Sequence, residues 1–244
     1  MGLHHPQTQT DRDRPRPIST NPFPVLSPAD FSAHYPQDAG AYLISYSGDY
    51  ASSMLLDITL KLHPGKRIIP WFRYFLPGLD LTSHLADLVR ARYNLRLYTS
   101  LCHGTINAMR MGLWCTRGIP YLTFPPADQS TSERQARSET DVIWIGYGYR
   151  DADSKSRAEL MVNWPNGINL HGMVFAPLKF TRDSQAQAYC ADNGIPIMTG
   201  RYGLEGVGAG IDLTQECMVW LKRAWPMDYS RVLRVFPRAE TTRS

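Results

Sequence analysis

The sequence lacks any apolar run that could cross a membrane. A bilayer-spanning helix needs roughly twenty predominantly apolar residues in a row, and no stretch of this 244-residue chain approaches that length. The N-terminal stretch is polar and rich in proline, unlike a secretory signal. We therefore expect a cytoplasmic protein with no membrane partner.

Cysteine is scarce and widely spaced. The chain has four cysteines, none of them in a C-x-x-C pair: Cys102, Cys115, Cys190 and Cys217. Zinc ribbons and dithiol redox sites need such pairs, and iron–sulfur clusters need closely spaced cysteines. The sequence therefore predicts no zinc site, no iron–sulfur cluster and no other metal site, and it favours buried free thiols.

Common catalytic and nucleotide motifs are missing as well. The chain has no Walker loop, no G-x-G-x-x-G dinucleotide fingerprint and no H-E-x-x-H metal motif. Cys102 and His103 are adjacent, but neighbouring side chains at a strand end point to opposite sides, so we do not expect a dyad there. The residues thus assign no catalytic group.

The composition is that of an ordinary globular protein. Hydrophobic residues make up 43% and charged residues 20% of the chain, which excludes a disordered or fibrous class. We predict one α/β domain over residues 29–225, preceded by a proline-rich polar arm (1–28) and followed by a basic extension (226–244). Much of the formal net charge of +4 can be placed in these two ends.

The pattern of residues 40–62 predicts a strand, a short polar turn and a helix. An apolar run, 41–44, is followed by Ser45-Tyr46-Ser47-Gly48-Asp49 and then by apolar residues at helical spacing. The N–H groups at such a helix N-terminus can bind an anion, and serine hydroxyls add donors. Serine and aspartate also cap helices for structural reasons alone, so both interpretations stay open.

A second candidate anion site follows the strand predicted over residues 141–147. The next stretch carries Arg150, Lys155 and Arg157 and is predicted to be a loop. Ligands of open α/β sheets bind at the carboxyl ends of strands, and arginine forks match phosphate or sulfate oxygens. The alternative is a solvated loop whose own acidic residues neutralise these cations.

Residues 45–52 resemble the pyrophosphate-binding PP-loop, S-F-S-G-G-x-D-S, of ATP pyrophosphatases and phosphoadenosine phosphosulfate (PAPS) reductases. Two positions depart from that motif, since Asp49 replaces the second glycine and Ala51 replaces the acidic residue. The acidic residue supports metal-assisted ATP chemistry in the family. The resemblance implies phosphate binding by the positions that fit: Ser45, Ser47, Gly48 and Ser52.

Three later stretches are similar to the same family in the same order. Gly148-Tyr149-Arg150 and Ser154-Lys155-Ser156-Arg157 resemble its G-x-R and S-x-R blocks, which implies that the three cations bind the distal phosphate or sulfate. Residues 173–196 resemble the following strand–helix block, and 202–212 a glycine-rich closing loop. The resemblance also implies nucleotide contacts at Arg73, Gly208 and Gly210.

The resemblance implies a doubly wound, mainly parallel sheet with helices on both faces, as in the adenine nucleotide α-hydrolase class. The ligand would be ATP, PAPS or adenosine 5'-phosphosulfate (APS), with magnesium if ATP is used. A reductase of this family has a C-terminal cysteine nucleophile, and this chain has no cysteine after Cys217. A transferase or hydrolase acting on nucleotidyl or pyrophosphate groups is therefore expected rather than a reductase.

Two other functions stay open. One is a catalytically inactive protein that keeps the fold and joins an assembly through its terminal arms, such as an assembly of a phage or other mobile element. The other is a protein that modifies nucleic acid and contacts it through the basic tails. The sequence also leaves open whether the chain forms a homo-oligomer.

Overall fold

The computed structural model describes residues 26–112, 127–150, 154–198 and 208–239. Most of the predicted arm, residues 1–25, lies outside the described residues, as do residues 240–244 of the predicted extension and most of the glycine-rich loop. None of the described helices is both long enough and apolar enough to span a bilayer.

A six-stranded sheet forms the centre of the described structure, in the order β3-β2-β1-β4-β6-β5. All neighbouring strands run parallel except β5 and β6, which pair antiparallel. The predicted doubly wound, mainly parallel fold is thereby confirmed. The strands are β1 (Ala41–Ser45), β2 (Arg67–Tyr74), β3 (Tyr98–Leu101), β4 (Trp144–Gly146), β5 (Ile168–Asn169) and β6 (Val174–Phe175).

Eight α-helices and two short 3-10 helices, Pro28–His34 and Pro165–Gly167, complete the described residues. Two hydrophobic cores lie on opposite faces of the sheet. In β1, Tyr42 and Ile44 belong to the larger core, whereas Leu43 belongs to the smaller one. The α-helices are α1 (Tyr50–Leu62), α2 (Asp80–Tyr93), α3 (His103–Arg110), α4 (Gln129–Thr140), α5 (Lys155–Met161), α6 (Asp183–Asp192), α7 (Gln215–Ala224) and α8 (Pro226–Val235).

Two segments differ from what the sequence predicts, namely the start of β3 and the stretch after β4. The alternation of residues 95–98 predicts a strand from Leu95, but β3 begins at Tyr98, because only residues 98–101 pair with β2. The stretch after β4, predicted to be a loop, contains helix α5. Its start is fixed by Ser154, whose hydroxyl accepts a hydrogen bond from the Arg157 N–H. This cap places Lys155 and Arg157 on a helix.

Helices α7 and α8 pack on each other near the C-terminus. The pattern of residues 214–225 predicts a helix with four core residues: Cys217, Val219, Trp220 and Leu221. Helix α7 buries three of them together with Met218, whereas Val219 is 62% exposed. Residues 226–235 were assigned to a basic extension, but they form α8, whose Tyr229 is buried. The described part of that extension is therefore packed on the protein body.

Candidate functional site

A pocket of about 630 Å³ lies at the carboxyl edge of the parallel strands. In the sheet, β1 lies between β2 and β4, so the strand order changes direction at β1. The pocket lies at this point, which is the usual ligand position in open α/β sheets. Most of the residues that the sequence assigned to ligand binding line it: Ser45, Ser47, Ser52, Arg73, Arg150, Arg157 and Gly210.

The other predicted site residues lie elsewhere. Gly48 has φ +78°, and a Cβ there would lie 2.8 Å from Leu85 Cδ1, so the glycine is needed for the turn itself. A Cβ on Gly208 would lie 3.1 Å from Ser47 Oγ, which places that glycine behind the loop. Lys155 is 92% exposed and forms an ion pair with Glu159 on its own helix.

The loop between β1 and α1 is closed by the side chain of Asp49. Asp49 Oδ1 accepts a hydrogen bond from the Ser52 N–H at 2.6 Å, which caps α1. Asp49 Oδ2 accepts from Ser47 Oγ at 2.9 Å, and Ser52 Oγ accepts from the Ser47 N–H at 3.1 Å. The carboxylate therefore accepts hydrogen bonds from Ser47 and Ser52, two residues to which the resemblance assigns phosphate binding. Phosphate binding by these two residues stays a prediction.

The first turn of α1 packs tightly against the end of β4. A Cβ on Gly148 would lie 3.2 Å from Ala51 Cβ and 3.2 Å from the Ser52 nitrogen, so a larger residue there would have to displace the start of α1 slightly. Ala51 itself is buried. A small residue, Ala51, therefore stands at this close contact, where the family motif has an acid.

Two arginines and two tyrosines form a stacked column along one wall of the pocket. The Arg157 Cζ lies 3.5 Å from the centroid of the Tyr149 ring. Tyr149 stacks on Tyr147 with centroids 4.4 Å apart and planes 13° apart. The Arg73 Cζ lies 6.0 Å from the Tyr147 centroid. Cation–π contacts of this kind hold both guanidinium groups at fixed places in the wall.

A buried hydrogen-bond network behind the wall anchors the column. Glu133 Oε1 accepts from the Tyr147 hydroxyl at 2.7 Å and from Gln129 Nε2 at 2.9 Å. Gln129 Nε2 also donates to the Tyr149 hydroxyl oxygen at 3.0 Å. Burial, followed by the neighbouring Tyr149, raises the pKa of Tyr147 well above its usual range. Tyr147 is therefore a neutral donor to Glu133.

The third arginine of the pocket, Arg150, is held by a residue outside the stacked column. It forms an ion pair with Asp183, the first residue of α6. The Arg150 side chain is 13% exposed, whereas Asp183 is 86% exposed, so solvent screens the carboxylate more than the guanidinium. The pocket therefore keeps a positive wall.

His103 and Cys102 line the same pocket, and the sequence analysis assigned no ligand role to either. Both residues follow β3, and the helix α3 that begins at His103 brings them to the carboxyl edge. Burial, followed by the nearby charge of Arg73, lowers the pKa of His103. Among the described residues, no hydrogen-bond partner faces its buried Nδ1 atom. The position of Cys102 and His103 directly after a strand is the sequence signal that could have identified them as pocket residues.

We expect His103 to titrate below pH 6.5, the usual value for histidine. Because the unfolded chain takes up this proton first as the pH falls, the contribution of His103 to stability is lost below about pH 6.5. An anion bound in the pocket should raise the midpoint, since it stabilises the imidazolium. NMR titration of the His103 ring, with and without AMP, measures both effects. A midpoint at or above 6.5 in the unliganded protein would contradict the first.

The pocket is a poor magnesium site by itself. Among the described residues, no group of three or more histidine, cysteine, aspartate or glutamate side chains could hold a metal ion. Among the described residues Asp49 is the one carboxylate that lines the pocket, and both of its oxygens already accept hydrogen bonds from the loop. Protein-bound magnesium usually needs one or two available carboxylates besides phosphate. We therefore derive no chemistry through this ion.

No protein-family model matches the chain, and no curated protein matches its sequence. Among solved structures, the chain is similar to the U34-tRNA thiolase NcsA from Methanococcus maripaludis, solved with its 4Fe-4S cluster. That comparison has 9% identity and a TM-score of 0.48, and it covers 89% of this chain and 78% of the other. A PAPS reductase from Candida auris, in a phosphate complex, is 17% identical with a TM-score of 0.43, over 71% of this chain and 83% of the other. These likenesses concern the fold alone.

Proposed function

We propose that the pocket binds an adenine nucleotide whose anionic group lies against the arginine wall. The observation that carries this proposal is the convergence of Arg73, Arg150 and Arg157 on one cavity of about 630 Å³. Small-molecule sites occupy about 300–1,000 Å³, so the volume suits a ligand of nucleotide size.

The charge balance of the pocket favours a ligand that carries at least one phosphate or sulfate. Three arginines line the cavity, and among the described residues Asp49 supplies a carboxylate. Guanidinium forks bind phosphate oxygens with charge-assisted hydrogen bonds, which are about twice as strong as neutral ones. Adenine is the base that the resemblance to PAPS reductases and PP-loop proteins implies.

If the protein is catalytic, nucleotidyl or pyrophosphate transfer fits the pocket better than sulfonucleotide reduction. The arginines can stabilise charge on a transferring phosphoryl group without a covalent step. The alternative is a protein of an assembly that keeps the fold without the chemistry. The Asp49 cap favours that alternative, because it occupies loop donors that a catalytic loop would turn to phosphate.

Calorimetric titration with AMP, ATP, PAPS and APS, each with and without magnesium, tests the proposal. We expect dissociation constants in the micromolar range for at least one nucleotide, and no binding of adenosine, which lacks the anionic group. Absence of heat with every nucleotide at millimolar concentration would contradict the proposal and favour the assembly function. Binding of single-stranded RNA that weakens steeply with salt would instead favour the nucleic-acid function.

A further inference from the structure

We propose that Asp49 closes the loop to phosphate and makes the pocket selective for a nucleoside monophosphate over a nucleoside triphosphate. This inference rests on the proposed function, because it concerns the ligand of the same pocket. The single phosphate lies at the arginine wall, and no polyphosphate chain lies along residues 45–52. Asp49 is in this sense a specificity-determining residue.

The hydrogen-bond donors at the start of α1 are already bound to an anionic group of the protein itself, the Asp49 carboxylate. Asp49 Oδ1 takes the Ser52 N–H at 2.6 Å, and Oδ2 takes the Ser47 hydroxyl at 2.9 Å. A phosphate at the same place would have to break both bonds. It would also leave the carboxylate without these partners inside a partly buried pocket, which costs free energy.

Electrostatics acts in the same direction. The partial positive charge of a helix N-terminus stabilises one nearby anion, and the Asp49 carboxylate fills that role for α1. A phosphate placed beside the carboxylate would repel it, and the repulsion is strong where water is partly excluded. The arginine wall carries the opposite charge, so a ligand with one anionic end can satisfy both sides by turning its phosphate away from Asp49.

The loop backbone is held so that Asp49 stays in this place. The Ser47 carbonyl accepts from the Ala209 N–H at 2.7 Å, and the Gly48 carbonyl accepts from the Met198 N–H at 3.0 Å. Gly48 adopts φ +78° against Leu85 and Met198. Two neighbouring segments therefore fix the residues just before Asp49, and the cap is part of a braced turn.

The test compares Asp49→Asn with the wild-type protein in titrations with AMP, ATP and inorganic pyrophosphate at one salt concentration. Asparagine keeps an oxygen that can accept the Ser52 N–H, so α1 stays capped while the charge is removed. We expect the wild-type protein to bind AMP at least as tightly as ATP. In Asp49→Asn the affinity for ATP and pyrophosphate should rise about tenfold or more, since each tenfold step needs only about 1.4 kcal/mol. The affinity for AMP should change much less.

Thermal melting tests whether Asp49→Asn folds. If Asp49→Asn does not fold, Asp49→Gly, which restores the glycine of the PP-loop motif, is used in its place. Wild-type protein that binds ATP about tenfold more tightly than AMP would overturn the inference and leave the proposed function intact. ATP binding that is unchanged or weaker in both variants would also overturn the inference and leave the proposed function intact. If neither the wild-type protein nor the variants bind AMP, ATP or pyrophosphate, the inference fails. The proposed function fails with it only if PAPS and APS do not bind either.

Discussion

Replacing Asp228 with alanine is expected to destabilise the protein by about 3 kcal/mol, because one buried and one partly buried N–H group lose their acceptor and a buried one costs about 1–3 kcal/mol. Asp228 lies on α8 and is 0% exposed. Its Oδ1 accepts from the Asp80 N–H at 2.8 Å, and its Oδ2 accepts from the Leu81 N–H at 2.9 Å. The first turn of α2 is thus capped by a carboxylate from another helix.

Urea unfolding followed by circular dichroism measures this loss. Asp228→Asn keeps one good acceptor and should lose less stability than Asp228→Ala. Asp87→Ala is the matched control, because Asp87 lies on α2, the capped helix, is 72% exposed and only approaches Arg90 at 3.9 Å. A surface pair of this kind is worth about 0–1 kcal/mol. An effect of Asp228→Ala no larger than that of Asp87→Ala would show that the cap does not hold the fold together.

The same contact bears on the assembly hypothesis for the C-terminal residues. A terminal arm that becomes ordered only on binding a partner is free of its own protein body beforehand. Helix α8 buries Tyr229, Val232 and Asp228 against the rest of the described structure. The part of the predicted extension that the structure describes is therefore held in place, and an assembly role for it would use the exposed face of α8.

The central strands of the fold were predictable from the sequence because burial on both faces leaves a plain signal. Strands β1 and β2 read as short apolar runs, and the polar turn after β1 and the apolar spacing of α1 follow at once. Strand β5 has two residues and no pattern that separates it from a loop. The start of β3 was misplaced because Leu95 and Leu97 continue the alternation before the strand begins to pair.

Part of the site was predictable from strand ends, whereas Arg157 and Gly210 were predicted through the family resemblance. Ser45, Arg73 and Arg150 lie at or just after strand ends, and parallel strands bring such residues to one edge. The stacked column was not predictable, since it depends on how Tyr149 and Arg157 face each other across a turn and a helix. The double role of Asp49 was also hidden, because a capping residue and a specificity residue look alike in a sequence.

Arg157→Ala is expected to weaken nucleotide binding about tenfold or more, because a charge-assisted hydrogen bond is worth about 1.5–3 kcal/mol. Arg157 lines the pocket and lies against the Tyr149 ring. Lys155→Ala is the matched control. It removes one positive charge two residues away on the same short helix, but Lys155 is 92% exposed and pairs with Glu159. Its removal should leave the affinity nearly unchanged at 0.15 M salt, where the Debye length is about 8 Å.

Arg157→Lys separates charge from geometry in the same titration with AMP. Lysine keeps the positive charge but lacks the planar fork that stacks on a ring and binds two phosphate oxygens together. If the stacked column positions the fork, Arg157→Lys should lose most of the affinity that Arg157→Ala loses. If lysine restores the wild-type affinity, the wall acts through charge alone. Equal losses in Lys155→Ala and Arg157→Ala would mean that the nucleotide is attracted by the general charge of α5, and they would place it outside this pocket.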